Sequence, residues 1–528
     1  MTGLRRADWR FLLPAAPGGR YRLLVLLGGG TELARRLSGM AERIDESVDA
    51  VAEADVVILM AESDAAIPEV AARLARNAVL YVEVDRRRPG RRGLTPARLR
   101  ASLRKAGLTP AACYWVVPEF ARARRHVPLD TPEPLEWYLA SLQTAGSRLA
   151  VMADAGVRLL AKAGAARLGA FVPCYSMVAV GAGRQPAGTG VLGASSAPVA
   201  MLTSGQDDGS RVVLLPFVNG HAVPSRVVKV PRLAAFDAHT EREQRTLEEL
   251  RARLPQSLRS SLPAPLGVRR WNDLLVASES YAPGVPLVVS SGRYGAPLRV
   301  AREDLRRAVD WLIAFHLATR AEGARWDDAV AERTLRRLPA CRALFPAGSP
   351  VHEALDAAVQ AASRLRGSLV PMVPLHNDLG PWNVHRDGAA VTVIDWELGE
   401  DADRQRLGPG PCDLFYLLTF WTFRVRHQRS RRAELRGLHE LFVHPEAGGD
   451  VARAAHEEIA RYAERLQLES GFLPLLLFVT WIDRAVDRVE RARMAAGPEA
   501  TRPDNAYARY LEVLAEGSAR WFREGRWP

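Results

Sequence analysis

The stretch that most constrains this 528-residue chain is 374–397, PLHNDLGPWNVHRDGAAVTVIDWE. His376, Asp378 and Asn383 form an H-x-D-x-x-x-x-N spacing. A short apolar run, Val391-Thr392-Val393-Ile394, then leads to Asp395, Trp396 and Glu397. A polar loop followed by a buried strand that ends in a carboxylate brings two acids and an amide close to one another. The rest of the chain is read by what such a cluster needs around it.

Several classes are excluded by the bulk features. The chain is long enough for two or three domains. Its net charge of +12 is carried almost entirely by Arg, interleaved with Asp and Glu along every helix-like segment. That is a composition bias rather than a binding stripe, so no nucleic-acid partner is expected. The apolar run from Phe472 to Ile482 is too short to span a bilayer and is followed by Asp483 and Arg484. Arg5, Arg6, Asp8 and Arg10 interrupt any signal-like core at the N-terminus. The four cysteines, Cys113, Cys174, Cys341 and Cys412, show no C-x-x-C or metal spacing. A soluble, cytoplasmic protein without membrane insertion is expected; its oligomeric state is not legible.

Residues 1–183 alternate between apolar runs and helical patterns. The runs Arg22–Leu27, Ala54–Met60, Val79–Val84, Cys113–Val117 and Tyr175–Val180 read as strands, and 67–76, 94–106 and 147–169 as helices. Alternation of this kind predicts a mostly parallel sheet. The Gly28-Gly29-Gly30 turn after the first strand, the ADVVIL strand around Asp55 and the segment Ala106–Phe120 resemble a class I S-adenosylmethionine-dependent methyltransferase domain. Leu27 stands where that family opens its loop with an acid, and no clear second strand ends in a ribose-binding acid. The expectation is a degenerate, Rossmann-like N-terminal domain, with 184–197 as a linker.

Three strand-like runs follow, 198–203, 211–218 and 225–230. The polar loop Ser204–Ser210 joins the first two, and Lys229 lies on the third. Lys229 is one of only three lysines, with Lys105 and Lys162, and it is flanked by Val227, Val228 and Val230. Where Arg is used almost everywhere, a buried Lys has its own chemistry. The helix-like 241–254 offers Glu243 as its partner, because Leu247 and Leu250 mark one face with it; Glu241 and Glu248 are the alternatives. Strand-like 267–271 and 274–278 lead into Glu279-Ser280-Tyr281, and nearly everything from Leu414 to Phe522 has helical periodicity.

In this order, the parts resemble the aminoglycoside phosphotransferase and choline kinase branch of the protein-kinase-like fold over residues ~195–525. The implied architecture is an α/β N-terminal domain followed by an α+β, bilobal kinase-like domain, with an N-lobe at 198–282 and a helical C-lobe at 283–528. The resemblance implies ATP and Mg2+ as cofactors and a small-molecule hydroxyl acceptor: a sugar, an aminoglycoside-like compound or an amino alcohol. Asp378 would be the base, Asn383 and Asp395 the metal ligands, and Lys229 with Glu243 the phosphate anchor. Backbone N–H groups around Gly205, Gly209 and Ser210 would cover the phosphates, and Ser280 and Tyr281 would meet adenine as a hinge. His376 braces the loop, His316 packs a helix, and Asp413 accepts from loop N–H groups. Glu397, Glu400, Asp401 and Asp403 form a candidate acidic rim for the acceptor. Two other readings remain open: a non-catalytic ATP-binding scaffold, and a methyltransferase working through the N-terminal domain.

Overall fold

The structure is a computed structural model that describes residues 4–16, 19–63, 66–141, 156, 169–181, 188–193, 197–203, 205, 209–293, 295–396, 407–496, 505–523 and 527. The expected helix at 147–169 and the acidic rim at Glu397, Glu400, Asp401 and Asp403 fall almost wholly outside these residues. The chain divides into two compact units. The first comprises Met1–Leu142, Met152–Gln244 and Pro265–Tyr281; the second comprises Gln143–Val151, Arg245–Ala264 and Ala282–Pro528.

The first unit is built on one twelve-stranded sheet. Its strands in chain order are β1 (Tyr21–Leu27), β2 (Ala41–Asp45), β3 (Val56–Leu59), β4 (Val79–Asp85), β5 (Leu108–Val117), β6 (Arg125–Pro128) and β7 (Cys174–Gly181), then β8 (Val199–Leu202), β9 (Arg211–Pro216), β10 (Val227–Pro231), β11 (Pro265–Trp271) and β12 (Leu274–Glu279). They lie in the order β11-β12-β10-β9-β8-β6-β5-β7-β4-β3-β1-β2. Only β2, β1, β3 and β4 pair in parallel. The remaining pairs are antiparallel.

The parallel strands are near-continuous apolar runs because both of their faces are covered. Leu24, Leu26, Val56 and Ile58 face one core, while Leu23, Val25, Val57 and Leu59 face the other. That second core is closed by Leu99 and Leu103 of the helix Pro96–Lys105. The first is closed partly by Trp9, Phe11 and Leu12 of a 3-10 segment, Leu4–Leu12, and it runs on beneath Met201, Leu214, Val230 and Val276.

Two expectations are corrected here. The sheet is not mostly parallel: four strands are, and β7 enters antiparallel between β4 and β5. Nor do the N-terminal strands close a sheet of their own. β6 pairs with β8 through Arg125↔Leu202 and His126↔Met201, so the strands on either side of 184–197 share one sheet and one core.

The second unit is a helical body with a small hairpin. Its main helices are Leu298–Thr319, Pro350–Arg364, Pro411–Val425, Gly449–Leu466, Phe472–Ala496 and Ala506–Phe522. In Gly449–Leu466 the buried residues Ala452, Ala455, Ile459, Tyr462 and Leu466 recur every three or four positions, which is the core-facing stripe of a helix. The hairpin Val384–Asp387 with Ala390–Val393 is held to this body by Val393 N–H donating to Ser261 O at 2.9 Å. The run Phe472–Ile482 lies in a buried helix. Among the described residues no helix is long and apolar enough to cross a membrane.

Candidate active site

The first unit buries a four-charge cluster at the position singled out for Lys229. Alternation along β10 sends Val228 and Val230 into the shared core and Lys229 to the opposite face. Its ammonium, with the side chain only 6% exposed, lies 2.5 Å from Glu243 Oε1 and 3.0 Å from Glu279 Oε1. Glu243 comes from the helix Asp237–Arg253 and its other carboxylate oxygen takes the guanidinium of Arg211. Glu241 and Glu248 on the same helix are exposed. Glu279 follows from strand register: it sits opposite Val227, two residues from Lys229 on the same face, which makes it a diagonal neighbour. Among the described residues, the two cations and two carboxylates of the cluster sum to zero, as burial favours.

The residues expected for a phosphate loop and a hinge are described in part. A Cβ on Gly205 would lie 2.0 Å from Ser210 Cβ, so the loop can close there only over a glycine. Gly209 and Ser210 lead directly into Arg211. Tyr281 OH accepts from Trp137 Nε1 at 2.9 Å and its side chain is thereby committed to packing, with only its backbone left for a hinge.

In the second unit, the loop from His376 to Asn383 is folded around the carboxylate of Asp378. Tyr416 OH donates to Oδ1 at 2.6 Å, while Trp382 Nε1 and Asn383 Nδ2 donate to Oδ2 at 3.2 and 3.0 Å. Asn383 Nδ2 also donates to the Asp378 carbonyl at 2.9 Å, and Asn383 N–H closes the turn onto Gly380 O at 2.9 Å. Gly380 is required because a Cβ there would lie 2.3 Å from the Trp382 indole. The Tyr416 hydroxyl is held protonated, its pKa driven well up by burial and by the neighbouring carboxylate. The Arg484 guanidinium stacks 4.9 Å from the centre of the Tyr416 ring.

His376 is spent on bracing. Its Nδ1 accepts from Asp378 N–H at 3.2 Å and its Nε2 lies 2.8 Å from the carbonyl of Ile394, which requires the neutral, Nε2-protonated tautomer. Asp413 receives His376 N–H at 2.7 Å and Asn377 N–H at 3.1 Å, a structural acceptor for the loop. His316 is wholly buried, bonded through Nδ1 to Tyr462 OH at 2.6 Å, with its pKa pushed down by burial to about 3. It is a packing histidine.

Asn383 and Asp395 are brought together by the hairpin. Val384 pairs with Val393, and Ile394 N–H donates to Asn383 O at 3.0 Å, so Asp395 follows one residue beyond the opposite partner of Asn383. Asp395 takes a left-handed φ of 64°, a conformation that Asp tolerates better than most residues. With Nδ2 committed to Asp378, Asn383 presents Oδ1. An amide oxygen beside a half-buried carboxylate is a donor set that fits magnesium, which takes few protein ligands and keeps several waters.

Four residues of these clusters escaped the sequence reading. In the sequence Glu279 stands only as the residue before the hinge pair, and Arg211 only as a strand residue. Trp382 lay unassigned inside the motif, and Tyr416 in the D-L-F-Y segment. For Glu279 the signal was available in the alternation of 274–279; for Tyr416 there was none, since its contact spans 38 residues.

No curated protein sequence matches the chain. Distant likenesses to solved structures exist. A glucosamine kinase in complex with glucosamine, ADP and inorganic phosphate is 15% identical and covers 60% of this chain and 80% of its own, at a TM-score of 0.38. A thermostable mutant of an aminoglycoside phosphotransferase is 14% identical over 59% of this chain and 93% of its own, at 0.36. An aminoglycoside phosphotransferase from Streptomyces rimosus, in complex with ADP and streptomycin, is 17% identical over 59% and 94%, at 0.30. The match to a family model is direct: residues 211–449 fit the phosphotransferase enzyme family. It takes in Lys229, Glu243, Asp378, Asn383 and Asp395 together. That span is a little under half of the chain, and over it the chain is similar to phosphotransferases.

Proposed function

We propose that the protein transfers the γ-phosphoryl group of ATP, with Mg2+, to a hydroxyl of a small molecule: a sugar, an aminoglycoside-like compound or an amino alcohol. The observation that carries this reading is the Asp378 carboxylate, fixed by Tyr416, Trp382 and Asn383 at the head of a tight loop. Three neutral donors orient the carboxylate without cancelling its charge. A carboxylate so held can align an alcohol and take its proton as the bond to phosphorus forms.

The other residues divide the remaining work. Lys229 is a point charge for the α- and β-phosphates, held in place by Glu243 and Glu279. Backbone N–H groups near Gly205, Gly209 and Ser210 cover the phosphates, and the backbone of Ser280 and Tyr281 meets adenine. Asn383 Oδ1 and the Asp395 carboxylate hold the metal. Magnesium, when bound, neutralises the phosphate oxygens during transfer. In this reading 198–282 forms the nucleotide-holding lobe and 283–528 the helical lobe. The four cysteines are buried and free, which suits a cytoplasmic protein.

A panel of sugars, aminoglycosides and amino alcohols, incubated with ATP and magnesium, tests the reading directly. An acceptor phosphorylated by the wild type should be turned over at least about a hundredfold more slowly by Asp378→Asn, with an unchanged melting temperature. Wild-type turnover by that variant would remove Asp378 from the mechanism. A wild type that binds ATP yet phosphorylates nothing would favour the scaffold.

A further inference from the structure

The N-terminal 3-10 segment carries charges that the proposed reaction does not use, and they are buried. Asp8 is 1% exposed; its carboxylate forms a two-pronged pair with Arg232, Nε to Oδ1 at 2.9 Å and NH2 to Oδ2 at 2.7 Å. The Arg232 side chain is fully buried. Its carbonyl accepts from Arg10 NH2 at 2.9 Å, and its NH1 donates to the carbonyl of Ser210 at 3.4 Å. Arg232 follows Pro231, the register partner of Arg211, so this tether sits where β9 begins.

The other stem is tied as well. Thr203, at the end of β8 and wholly buried, donates its N–H to Arg124 O at 2.8 Å and its hydroxyl to Ala123 O at 2.9 Å. Arg5 Nε donates to the same Ala123 carbonyl at 3.0 Å. Arg6 binds Glu83 on β4, which anchors the segment to the parallel half of the sheet. Of the two stems of the loop, Thr203 is thus held directly by residues of the N-terminal region, and Ser210 through Arg232, which Asp8 fixes.

We propose that this region is a positioning element for the nucleotide. The chain Asp8–Arg232–Ser210, with Thr203 on Ala123 and Arg124, fixes the start of β9, and with it Ser210 and Arg211 beside the Glu243–Lys229 pair. Asp8, Arg232 and Thr203 are positioning residues and touch no substrate. The inference rests on the reading of Lys229 and Ser210 as phosphate-binding.

The test measures binding of magnesium·ADP by calorimetry to the full chain, beside its melting temperature. Asp8→Leu combined with Arg232→Met replaces the buried pair by apolar side chains, an exchange that is often neutral for stability. It nonetheless removes the tether to Ser210. Expected is an unchanged melting temperature with Kd raised about tenfold. Thr203→Val, nearly isosteric, should raise Kd about threefold and keeps the test open if the double variant does not fold. Lys229→Ala is the control and should abolish binding. Wild-type affinity in folded Asp8→Leu/Arg232→Met, or in Thr203→Val, with binding lost in Lys229→Ala, would overturn the inference and leave the proposed function standing. Absence of magnesium·ADP binding in the wild type would overturn both.

Discussion

The two clusters anchor their key groups by opposite means. Lys229 is held by charge, between two buried carboxylates with Arg211 completing the balance. Asp378 is held by neutral donors, a phenol, an indole and an amide. The difference follows from the work proposed for each. A cation that waits for phosphate must be stable in its absence, so its charge is compensated in advance. A carboxylate that must accept a proton loses that capacity if an adjacent cation stabilises its ionised form too strongly. Arg484 stacks over the Tyr416 ring, and its charge and that of Asp378 attract each other.

That contrast predicts different failures. Removing Lys229 leaves buried carboxylates without their counter-ion. Lys229→Met should lower unfolding stability by about 3–5 kcal/mol and abolish ATP binding, as read by urea denaturation and calorimetry. Adding Glu279→Leu should recover much of the stability and none of the binding; recovery of both would make Lys229 a structural residue only. On the neutral side, Tyr416→Phe removes one hydrogen bond to a charged group, worth about 1.5–3 kcal/mol. It should reduce kcat between about ten- and a hundredfold while the Kd for magnesium·ADP stays fixed. A change in that Kd would couple the two clusters more tightly than their separate chemistries require.

A smaller effect concerns pH. His126, in the β6–β8 join, is wholly buried, and burial with the nearby Arg6 pushes its pKa down to about 3. The unfolded chain takes the proton near its ordinary value and the folded chain does not, so stability is lost as pH falls below about 6.5. The loss should reach about 2 kcal/mol at pH 5. His126→Leu should flatten that slope, since His126 Nδ1 has no hydrogen-bond partner to lose. An unchanged acid slope would place the sensitivity elsewhere. Glu248→Gln, on the exposed face of the helix that carries Glu243, should move nothing by more than about 0.5 kcal/mol; a larger effect would question the choice of Glu243.

Legibility from sequence tracked the range of the interaction. The buried strands around Val57, Leu80 and Val228 announce themselves as apolar runs, and Lys229 stands out against a background of Arg. Glu243 could be chosen over Glu241 and Glu248 because its helix face is marked by Leu247 and Leu250. The H-x-D-x-x-x-x-N loop is local, so the motif and the bracing by His376 were legible, though the bond from Trp382 inside it was not. Tyr416 and the Asp8–Arg232 pair were not, because their partners lie 38 and 224 residues away and no periodicity encodes such a distance. The charges of 5–10 read as an interruption of a signal core; in the fold Arg6, Asp8 and Arg10 are ion-paired beneath the surface. The linker expected at 184–197 failed as a boundary for a similar reason, since the β6–β8 pairing joins positions 77 and 75 residues apart.

That pairing bears on how such a chain can be shortened or inherited. The family match begins at residue 211, inside the sheet and after β8. A gene fragment that started there would lack β8 and leave the outer backbone of β9 open to any strand that meets it, a common route to aggregation. Starting at 198 instead only moves the open edge to β8, with its Val199 and Met201. The span that matches the family model is therefore shorter than the span that covers its own sheet edge, and β6 supplies that cover.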